Sequence, residues 1–443
     1  MRRRRDTSDE NPSAAPEDRR LALACVGSPE NAFADAGLLL ALDGLSQVVF
    51  NRAERGDKVQ VGGTAPGLRI DIPLPFVSAH HAELNLRAGS AEAGYPLQDC
   101  KSRNGTMLEG HPVVGEARIK PGDIFEVGRS FWALVTLGAN DDERAIRRIA
   151  PQGAANGQMR RLLSSLGRVA DASLPLLFTG ETGVGKDWLA QAVHEASGAD
   201  GEFVQANVMT TSVEQLLFGS GNDGGPLTQS RGGTLYLEDV GELDLSVQTK
   251  LLSALLSHAP AAWAARAPRD VRVIAASTRD LRDMVSRQEF RPDLLAQLAG
   301  FDGSIPPLRE RREDLGLLVR ALARRSDGSS VRVCSGVFRS MLAHDWPFNL
   351  RELRHALTAA VAMAADNPDG VTSAIWRAVC GITEGGSQDP ARIQAVRQAL
   401  VQHLVAHNGD TTLVAESMHC ELGDVERWLG RLSIRPDHYG RAG

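Results

Sequence analysis

The chain of 443 residues is too long for one ordinary hydrophobic core, so its length predicts two to four domains. Its 42% hydrophobic and 23% charged residues are typical of a soluble globular protein, and a net charge of −6 gives no general attraction to nucleic acid or to an anionic membrane. No apolar run approaches the ~20 residues that span a bilayer, and the five cysteines include no C-x-x-C pair, so we expect a cytoplasmic protein with free thiols and no membrane partner.

Residues 1–35 are predicted to form a disordered tail. Residues 1–20 are rich in charge, Pro and Ser, a composition that buries too little apolar surface to offset the entropy of folding. The apolar stretch Leu21–Val26 is too short for the core of a signal peptide, which needs at least about 7 such residues. The four arginines at positions 2–5 are compatible with contacts to nucleic acid or lipid headgroups, but a solvated tail is the simpler interpretation.

Residues 36–137 are predicted to form an all-β domain, either a sandwich or a barrel. Short apolar stretches such as Ala82–Leu86 and Ile124–Val127 alternate with clusters of Gly, Pro and Asn. This spacing is typical of short strands that are joined by tight turns.

Three motifs within this domain follow one another in the order Val77–Ala82, Leu97–Thr106 and Lys120–Asp123. Together they resemble a forkhead-associated (FHA) domain, a sandwich whose loops read phosphothreonine. The resemblance implies a phosphopeptide-binding set of loop side chains: Ser78, Ser102, Arg103 and Asn104. It also implies that buried His81 and the turn at Asn104-Gly105 support these loops.

Two departures from the FHA pattern concern the basic residues. Gly62-Gly63 stands where the family has a Gly-Arg pair, and Ala79 stands where a basic residue often follows the serine. Loss of the arginine removes the planar fork that recognises phosphate best, although Arg103 or Arg69 could replace it. Two interpretations stay open, a phosphothreonine reader that binds a kinase or its product, and a plain protein-interaction module.

Residues 138–149 begin with a polar stretch and are predicted to form a linker. From residue 150 to 311 the pattern alternates between strands and helices, which predicts an α/β domain with a largely parallel sheet. Its candidate strands are Leu174–Phe178, Thr234–Leu237 and Val271–Ala275. Residues 312–380 show a mainly helical pattern.

A glycine-rich loop lies between the first of these strands and a helical stretch, Trp188–Ala196. The loop residues are Gly180, Glu181, Thr182, Gly183, Val184, Gly185 and Lys186. The order of strand, loop and helix turns backbone N–H groups and a helix N-terminus toward a chain of phosphates, and the lysine reaches the outer ones. The sequence therefore predicts a site for a nucleoside triphosphate, with ATP and Mg²⁺ as the expected ligands.

Residues 150–380 resemble the AAA+ domain of bacterial enhancer-binding proteins, the ATPases that activate sigma-54 RNA polymerase. The resemblance is carried by motifs in the family's order: Gly180–Asp187, Phe203–Asn207, Gly232–Asp239, Ile274–Leu281, Pro306–Asp314 and Trp346–Leu353. The acidic residue after the lysine, Asp187, departs from the generic phosphate-loop pattern but is characteristic of this family. The resemblance implies a helical lid over residues 312–380 and assembly into a homo-oligomeric ring.

The same resemblance implies roles for single residues. Asn207 restrains the catalytic carboxylate, Thr278 belongs to the first sensor, and Arg351 of the second sensor reaches the phosphates. Glu238 and Asp239 are the pair that holds Mg²⁺ and activates the attacking water. Arg291 matches the first arginine finger, which acts across a subunit boundary.

Three departures from the family bear on function, two of them on ATPase activity and the third on contact with the sigma factor. The family has Asp then Glu where this chain has Glu238 then Asp239, which moves each carboxylate by one methylene, roughly 1.5 Å, and a misplacement of ~1 Å can reduce a rate about a hundredfold. Gln297 stands at the second finger. Residues 220–231 lack the Gly-Ala-Phe-Thr-Gly-Ala loop that contacts the sigma factor. We therefore expect that sigma-54 polymerase is not remodelled in the usual way.

Residues 381–390 are predicted to form a Gly/Ser/Pro linker, and residues 391–434 resemble the Fis-type helix-turn-helix that ends these activators. The break predicted before the second helix is Asn408-Gly409-Asp410. Residues 391–443 contain six arginines and six acidic residues, whereas DNA-binding units are usually basic. DNA binding and a helical dimerisation tail both stay open.

The sequence supports a multidomain fold: an FHA sandwich, an AAA+ domain with a helical lid, and a small all-α unit. Its first functional hypothesis is an ATP-binding transcriptional regulator that senses a phosphopeptide. The alternative is an ATP-binding, phospho-dependent interaction scaffold with little ATPase activity and no DNA binding. A third interpretation, a full sigma-54 remodelling ATPase, requires rapid ATP turnover and capture of the sigma factor.

Overall fold

The computed structural model describes residues 19–63, 65–207, 225–257, 271–324, 328–365, 367–380 and 400–417, together with 425–426, 429 and 434–436. They form a β sandwich, a five-stranded α/β layer, a helical lid and a small C-terminal helical unit. No helix of this described part is long and apolar enough to cross a membrane.

One sheet of the sandwich has the strand order β2-β1-β12-β11-β8-β9. Its strands are β1 Arg19–Gly27, β2 Leu39–Ala41, β8 Thr106–Leu108, β9 His111–Pro112, β11 Ile124–Val127 and β12 Ser130–Gly138. All of its strand pairs are antiparallel, and Leu23 of β1 faces Leu134 of β12. The sandwich and the FHA fold that the sequence predicted are thus in agreement.

The predicted tail over residues 1–35 was wrong for its second half, while residues 1–18 lie outside the described residues. Strand β1 sits between β2 and β12 inside the first sheet, and Ala22 to Val26 are buried. The apolar stretch that was too short for a signal peptide is long enough for a strand, because a buried central strand needs only four to eight such residues. The domain therefore begins at Arg19 and not at residue 36.

The second sheet of the sandwich has the order β10-β7-β6-β3-β5-β4. Its strands are β3 Gln47–Arg52, β4 Gln60–Gly62, β5 Gly67–Ile72, β6 Ala82–Asn85, β7 Tyr95–Asp99 and β10 Glu116–Ile119. Strand β3 pairs with β5 in parallel, and β4 and β5 form an antiparallel hairpin beside it. Phe50 of β3 contacts Phe125 and Trp132 of the first sheet edge to face, which fills the core between the sheets.

The α/β layer is a fully parallel sheet with the order β14-β15-β16-β13-β17. Its strands are β13 Leu176–Thr179, β14 Phe203–Asn207, β15 Gly233–Glu238, β16 Val271–Ser277 and β17 Phe301–Ser304. The three candidate strands from the sequence are β13, β15 and β16. Since carboxyl ends of parallel strands meet at one edge, Thr179, Asn207, Glu238 and Ser277 lie along the same edge of the sheet.

Helices cover this sheet and form the lid. They are α1 Glu143–Ile149, α2 Gly157–Val169, α3 Lys186–Ser197, α4 Pro226–Gln229, α5 Leu245–Ser257, α6 Leu281–Ser286, α7 Pro292–Leu298, α8 Leu315–Leu322, α9 Ser335–Leu342, α10 Asn349–Met363 and α11 Ser373–Cys380. The last four make up the lid.

The predicted linker over residues 138–149 was also wrong in its second half. Helix α1 fills it, capped by Asp142, whose carboxylate accepts hydrogen bonds from the N–H groups of Arg144 and Ala145. Ile146 and Ile149 are buried against the core of the α/β layer. The two isoleucines three positions apart mark one face of a helix, so a linker assignment gave too much weight to the polar residues just before them.

The sandwich and the lid share one hydrophobic core. Ala22, Val26, Phe33 and Phe131 of the sandwich cluster with Leu315, Val319 and Phe338 of the lid. Phe338 contacts Phe33 and Phe131 edge to face, with ring centroids 4.8 and 5.0 Å apart. A shared core means that the FHA domain is seated on the AAA+ lid and is not tethered to it by a loose connection.

The C-terminal unit is described in part. Residues 400–406 are helical, Asn408 and Gly409 have positive φ, and helix α12 spans Thr411–Ser417, so the predicted break at residues 408–410 is a turn. Leu400, Leu404 and Val414 pack in a small core with Val425 and Leu429. Most of the helix expected to enter DNA lies outside the described residues.

Candidate nucleotide and phosphopeptide sites

The glycine-rich loop connects the end of β13 to the start of α3, as the sequence predicted. Gly180, Gly183 and Gly185 all have positive φ, a region that side chains disfavour. A Cβ on Gly183 would also lie 2.3 Å from the carbonyl oxygen of Phe348. Within the described structure, the backbone N–H groups of Gly183 and Gly185 have no hydrogen-bond acceptor. Unpaired N–H groups at a helix N-terminus form an anion site.

Lys186 is buried inside the curve of this loop. Its Nζ donates hydrogen bonds to the carbonyl oxygens of Gly180 at 2.9 Å and Glu181 at 3.1 Å. Burial lowers the pKa of Lys186, and the nearby carboxylates of Asp239 and Glu238 oppose that shift. The ammonium group is therefore held at the carboxyl edge of the sheet, close to both acidic side chains.

The lid anchors the loop through Glu181. The guanidinium of Arg309 donates two hydrogen bonds to the Glu181 carboxylate, one of them at 2.9 Å. The buried side chain of Asn349 donates to the same carboxylate and to the carbonyl oxygen of Thr182, both at 3.1 Å. These donors lower the pKa of Glu181 to about 2.

Two more lid contacts hold the far side of the loop. The N–H of Leu350 donates to the carbonyl oxygen of Gly183 at 2.9 Å, and the buried Arg311 donates to that of Val184 at 2.8 Å. The carbonyl groups of Thr182, Gly183 and Val184 thus face Asn349, Leu350 and Arg311. The unpaired N–H groups of the loop are left to meet a ligand.

The acidic pair lies where the sequence placed it, at the end of β15. Glu238 accepts a hydrogen bond from Gln205 of β14 at 3.1 Å, and its backbone is paired with Asn207. Asp239 has left-handed backbone angles, φ 54° and ψ 46°, and its buried Oδ1 has no hydrogen-bond partner among the described residues. A buried carboxylate oxygen without a partner suits a hydrated cation such as Mg²⁺, which prefers oxygen ligands and keeps several waters.

Of the two sensor residues, Arg351 lies beside the glycine-rich loop and Thr278 lies at the carboxyl edge of the sheet. The Cβ of Arg351 on α10 would be 3.1 Å from a Cβ added to Gly183, and its charge lowers the pKa of Lys186. Thr278 follows β16 directly and is exposed. Asp187, the acidic residue after the lysine, is exposed in the first turn of α3.

Arg291 is set apart from the loop contacts. It precedes α7 at a half-buried position and its guanidinium binds Asp293, with the Nη2–Oδ2 pair at 2.6 Å. It also donates to the hydroxyl of Thr249 at 3.3 Å. Gln297, the second finger position, lies on the same helix. Residues 208–224, which include the first five of residues 220–231, lie outside the described residues.

In the sandwich, Arg103 is the member of the predicted phosphopeptide set that contacts Ser78 among the hydrogen bonds of the described residues. The Ser78 hydroxyl accepts a hydrogen bond from the N–H of Arg103 at 3.0 Å, and the Arg103 side chain is exposed. Buried His81 accepts from the N–H of Ser78 and bonds the carbonyl oxygen of Gly105, as expected of a supporting residue. Ser102 and Asn104 support the loops as well: Ser102 donates to Asp99 at 2.7 Å, and Asn104 to the carbonyl oxygen of Phe76 at 2.6 Å.

An arginine that the sequence did not single out lies beside Ser78. Gly63 lies in the β4–β5 hairpin, where a Cβ would be 2.8 Å from the carbonyl oxygen of Gly67, and Arg69 is paired with Asp71. The arginine beside Ser78 is Arg52, whose N–H donates to the Ser78 carbonyl oxygen at 2.9 Å. Its side chain is exposed, and no hydrogen bond or ion pair within the described chain engages it.

A signal for Arg52 was present in the sequence. Val48 and Phe50 alternate as buried residues of β3, and Asn51-Arg52 ends that strand just before a polar loop. The hairpin of β4 and β5 lies between this pair and Ser78 along the chain.

Three segments match protein families. Residues 61–128 match the FHA domain, residues 153–302 match the Sigma-54 interaction domain, and residues 309–371 match the AAA+ ATPase lid domain. Their order agrees with the sandwich, the α/β layer and the lid.

Whole-chain comparisons find related regulators. The chain is 33% identical over 330 residues to the C4-dicarboxylate transport transcriptional regulatory protein DctD of Rhizobium meliloti, which covers 68% of this chain and 70% of that protein. It is 33% identical over 318 residues to the nitric oxide reductase transcription regulator NorR1 of Cupriavidus necator, with 62% of each chain covered.

Among solved structures, NtrX from Brucella abortus in complex with ATP is 28% identical, with a TM-score of 0.45 over 63% of this chain and 69% of that one. The match to more than two thirds of DctD at 33% identity decides the family. The chain belongs to the family of transcriptional regulatory proteins that carry a Sigma-54 interaction domain.

Proposed function

We propose that this protein is an ATP-binding transcriptional regulator whose FHA domain reads a phosphothreonine on a partner protein, a kinase or its product. The observation that carries the proposal is the geometry around Lys186. Unpaired N–H groups of a glycine loop, a buried ammonium and an unpartnered carboxylate oxygen meet at one sheet edge. A magnesium triphosphate supplies the anion and the cation that these groups require.

Each residue at this edge then has a role. Lys186 and the N–H groups of Gly183 and Gly185 bind the phosphates, with Arg351 as an additional cation at the mouth. Glu181, Thr182 and Val184 shape the loop through their contacts with the lid. Bound Mg²⁺ neutralises phosphate charge, and Asp239 and Glu238 are its protein partners through water.

Hydrolysis is proposed to be slow. The catalytic base is expected from the second carboxylate, but Asp239 is shorter than the family's glutamate and leaves β15 in a left-handed turn. Glu238, the longer side chain, is engaged by Gln205. Asn207, Thr278 and Arg291 keep their assigned places in the proposal, and Arg291 is free to act across a ring only if it leaves Asp293.

The FHA domain is proposed to bind its phosphopeptide with Arg52, Ser78 and Arg103. Two exposed arginines flank a hydroxyl on loops that the sandwich holds in place. Charge-assisted and hydroxyl donors in this arrangement suit a phosphate group. Ser102 and Asn104 do not contact the phosphate in this proposal but hold the binding loops in place through Asp99 and Phe76.

The remaining proposals follow from the family. We propose a homo-oligomeric ring and a C-terminal helix-turn-helix over residues 391–434 that binds DNA. Remodelling of sigma-54 polymerase in the usual way is not proposed, because residues 220–231 lack the family's contact motif. The alternative, an ATP-binding scaffold without DNA binding, is favoured by the order of Glu238 and Asp239 and by the neutral C-terminal unit.

Two assays on the purified full chain test the proposal. Retardation of a fragment of its own promoter at physiological salt supports the regulator, and its absence supports the scaffold. The second assay compares ATP turnover with that of the double variant Glu238→Asp/Asp239→Glu, which restores the family order. We expect at least a tenfold gain in rate, and an equal rate in both proteins would contradict the proposed cause of slow hydrolysis.

A further inference from the structure

One short segment joins the phosphate loop to the FHA domain. It is the stretch from Arg309 to Asp314, called here the junction segment. Arg309 and Arg311 bind the loop at Glu181 and at the carbonyl oxygen of Val184. Three residues after the first of these contacts, the same stretch reaches the sandwich.

The contact with the sandwich is Arg312 on Glu109. Two parallel hydrogen bonds, 2.8 and 2.9 Å long, join the guanidinium to the carboxylate, and each side chain is about one third exposed. The geometry is the planar two-bond fork that makes an arginine–carboxylate pair both strong and directional.

Glu109 is itself fixed in place by the sandwich. It lies in the turn between β8 and β9 with a φ of 48°, and its Oε1 also accepts a hydrogen bond from the N–H of Ile124 at 2.7 Å. The carboxylate therefore cannot follow Arg312 if that residue moves. Any shift of the junction segment has to break this pair.

The other end of the segment is fixed to the α/β layer. The buried carboxylate of Asp314 accepts hydrogen bonds from the N–H groups of Ala155 and Asn156, just before α2. Between this anchor and the phosphate loop, Arg312 forms the ion pair with the FHA domain. The FHA contact thus lies between two fixed points.

A second contact keeps the sandwich seated on the lid. Arg339 of α9 donates to both oxygens of Glu126 at 2.8 and 2.7 Å, and the Glu126 side chain is only 5% exposed. Phe338, one residue earlier, packs between Phe33 and Phe131. This contact holds the sandwich, and Glu109 with it, against the lid next to the junction segment.

From these contacts we propose that Glu109 of the FHA domain is a positioning residue for the nucleotide site. By holding Arg312, it fixes the junction segment so that Arg309 and Arg311 keep the phosphate loop in its binding geometry. The inference rests on the proposed nucleotide binding and adds its regulation. A partner that lifts the sandwich off the lid lowers nucleotide affinity, and nucleotide in turn favours the seated sandwich.

The test measures the affinity of the full chain for Mg·ADP by calorimetry. Glu109→Ala is expected to weaken binding about fivefold or more, the usual lower range for coupled sites. The charge exchange Glu109→Arg/Arg312→Glu is expected to recover only part of the lost affinity, because an arginine at position 109 cannot accept the hydrogen bond from the N–H of Ile124. Glu116→Ala, an exposed glutamate on β10 of the same domain, is the matched control and should leave the affinity unchanged.

Glu109→Gln provides a second variant that keeps the shape and the acceptor for Ile124, in case Glu109→Ala does not fold. It should also increase hydrogen exchange in residues 180–187 without changing that of β1 and β12, an effect that general loss of stability would not give. Equal Mg·ADP affinity in the parent chain and in folded Glu109→Gln or Glu109→Ala would overturn the inference. If the parent chain itself binds no Mg·ADP, the proposed function falls, and this inference falls with it.

Discussion

Arg309 and Glu181 form a two-bond ion pair that connects the lid directly to the phosphate loop. Asn349 completes the connection, since the Glu181 carboxylate accepts a third hydrogen bond from it. The side chain of Glu181 is 42% exposed, so solvent screens the pair and its value lies in geometry more than in stability. We infer that the second residue of the loop is used to set its shape.

The first prediction concerns the pH dependence of this pair. The pKa of Glu181 falls from 4.5 to about 2 in the folded protein, so its stabilising contribution is complete above pH 4.5 and is lost as the pH falls toward 2. Glu181→Gln should therefore be less stable than the parent chain at pH 6, and the difference should shrink below pH 4.5. Urea unfolding at several pH values measures it, and a difference that grows in acid would contradict the assignment.

The second prediction concerns Glu313, whose burial and neighbour Asp314 raise its pKa from 4.5 to about 7. The folded state binds this proton more tightly than the unfolded state, so the contribution is complete below pH 4.5 and is lost as the pH rises through 7. Glu313→Gln, which can still accept from Asn156, should gain stability over the parent chain between pH 5 and 8, by up to about 3 kcal/mol.

The free energy of unfolding of both chains, measured across this pH range, tests the second prediction. The gain should be near zero at pH 4.5 and should level off above pH 7. A constant difference at all pH values would show that Glu313 does not titrate in this range.

The third prediction concerns the contact between the FHA domain and the lid. A Cβ on Gly316 of α8 would lie 1.6 Å from the carbonyl oxygen of Val26 in β1, so no other residue fits without separating the two domains. Gly316→Ala should lower stability by about 1–3 kcal/mol and expose the boundary to proteolysis. Gly336→Ala on α9 is the control, because its nearest neighbour, the Ser373 hydroxyl, is 3.2 Å away. Equal protease resistance in both variants would argue against a seated sandwich.

The sequence predicted most of the architecture, but it did not predict the contact between the sandwich and the lid. The strand β13, the glycines with positive φ and the helix α3 follow from local pattern and turn chemistry. The seat of the sandwich depends on Phe33, Phe131 and Phe338, which are more than 200 residues apart at the extremes and look like ordinary core residues in each domain. No local pattern reports such a long-range contact.

The sites were predictable to a different extent. Motif order predicted Lys186 and the carboxylate pair, which lie at the carboxyl edge of the sheet, whereas Arg52, which we propose for the phosphate, was not singled out by the sequence. Arg309 and Asn349 were part of recognised motifs, but their contact with Glu181 required the fold. The left-handed backbone of Asp239 also required the fold. It is a property of the turn after β15 and does not follow from the order of Glu238 and Asp239 in the sequence.

The fourth prediction concerns Arg52 and the phosphopeptide. In binding to an immobilised library of phosphothreonine peptides, Arg52→Ala should lose about tenfold or more in affinity, since hydrogen bonds to charged groups contribute about 1.5–3 kcal/mol. Arg69→Ala, an arginine of the same sheet that is paired with Asp71, should bind like the parent chain. Loss of binding in Arg69→Ala but not in Arg52→Ala would show that Arg52 does not bind the phosphate. If the parent chain selects no peptide, the FHA domain is a plain interaction module.

The most direct measurement of the central claim is calorimetric titration of the full chain with Mg·ADP, alongside the variant Lys186→Ala. The account predicts one site per chain in the parent protein and at least a tenfold loss of affinity in the variant, because a buried cation at the phosphates is removed. Absence of heat in the parent chain, or equal binding in both proteins, would contradict it.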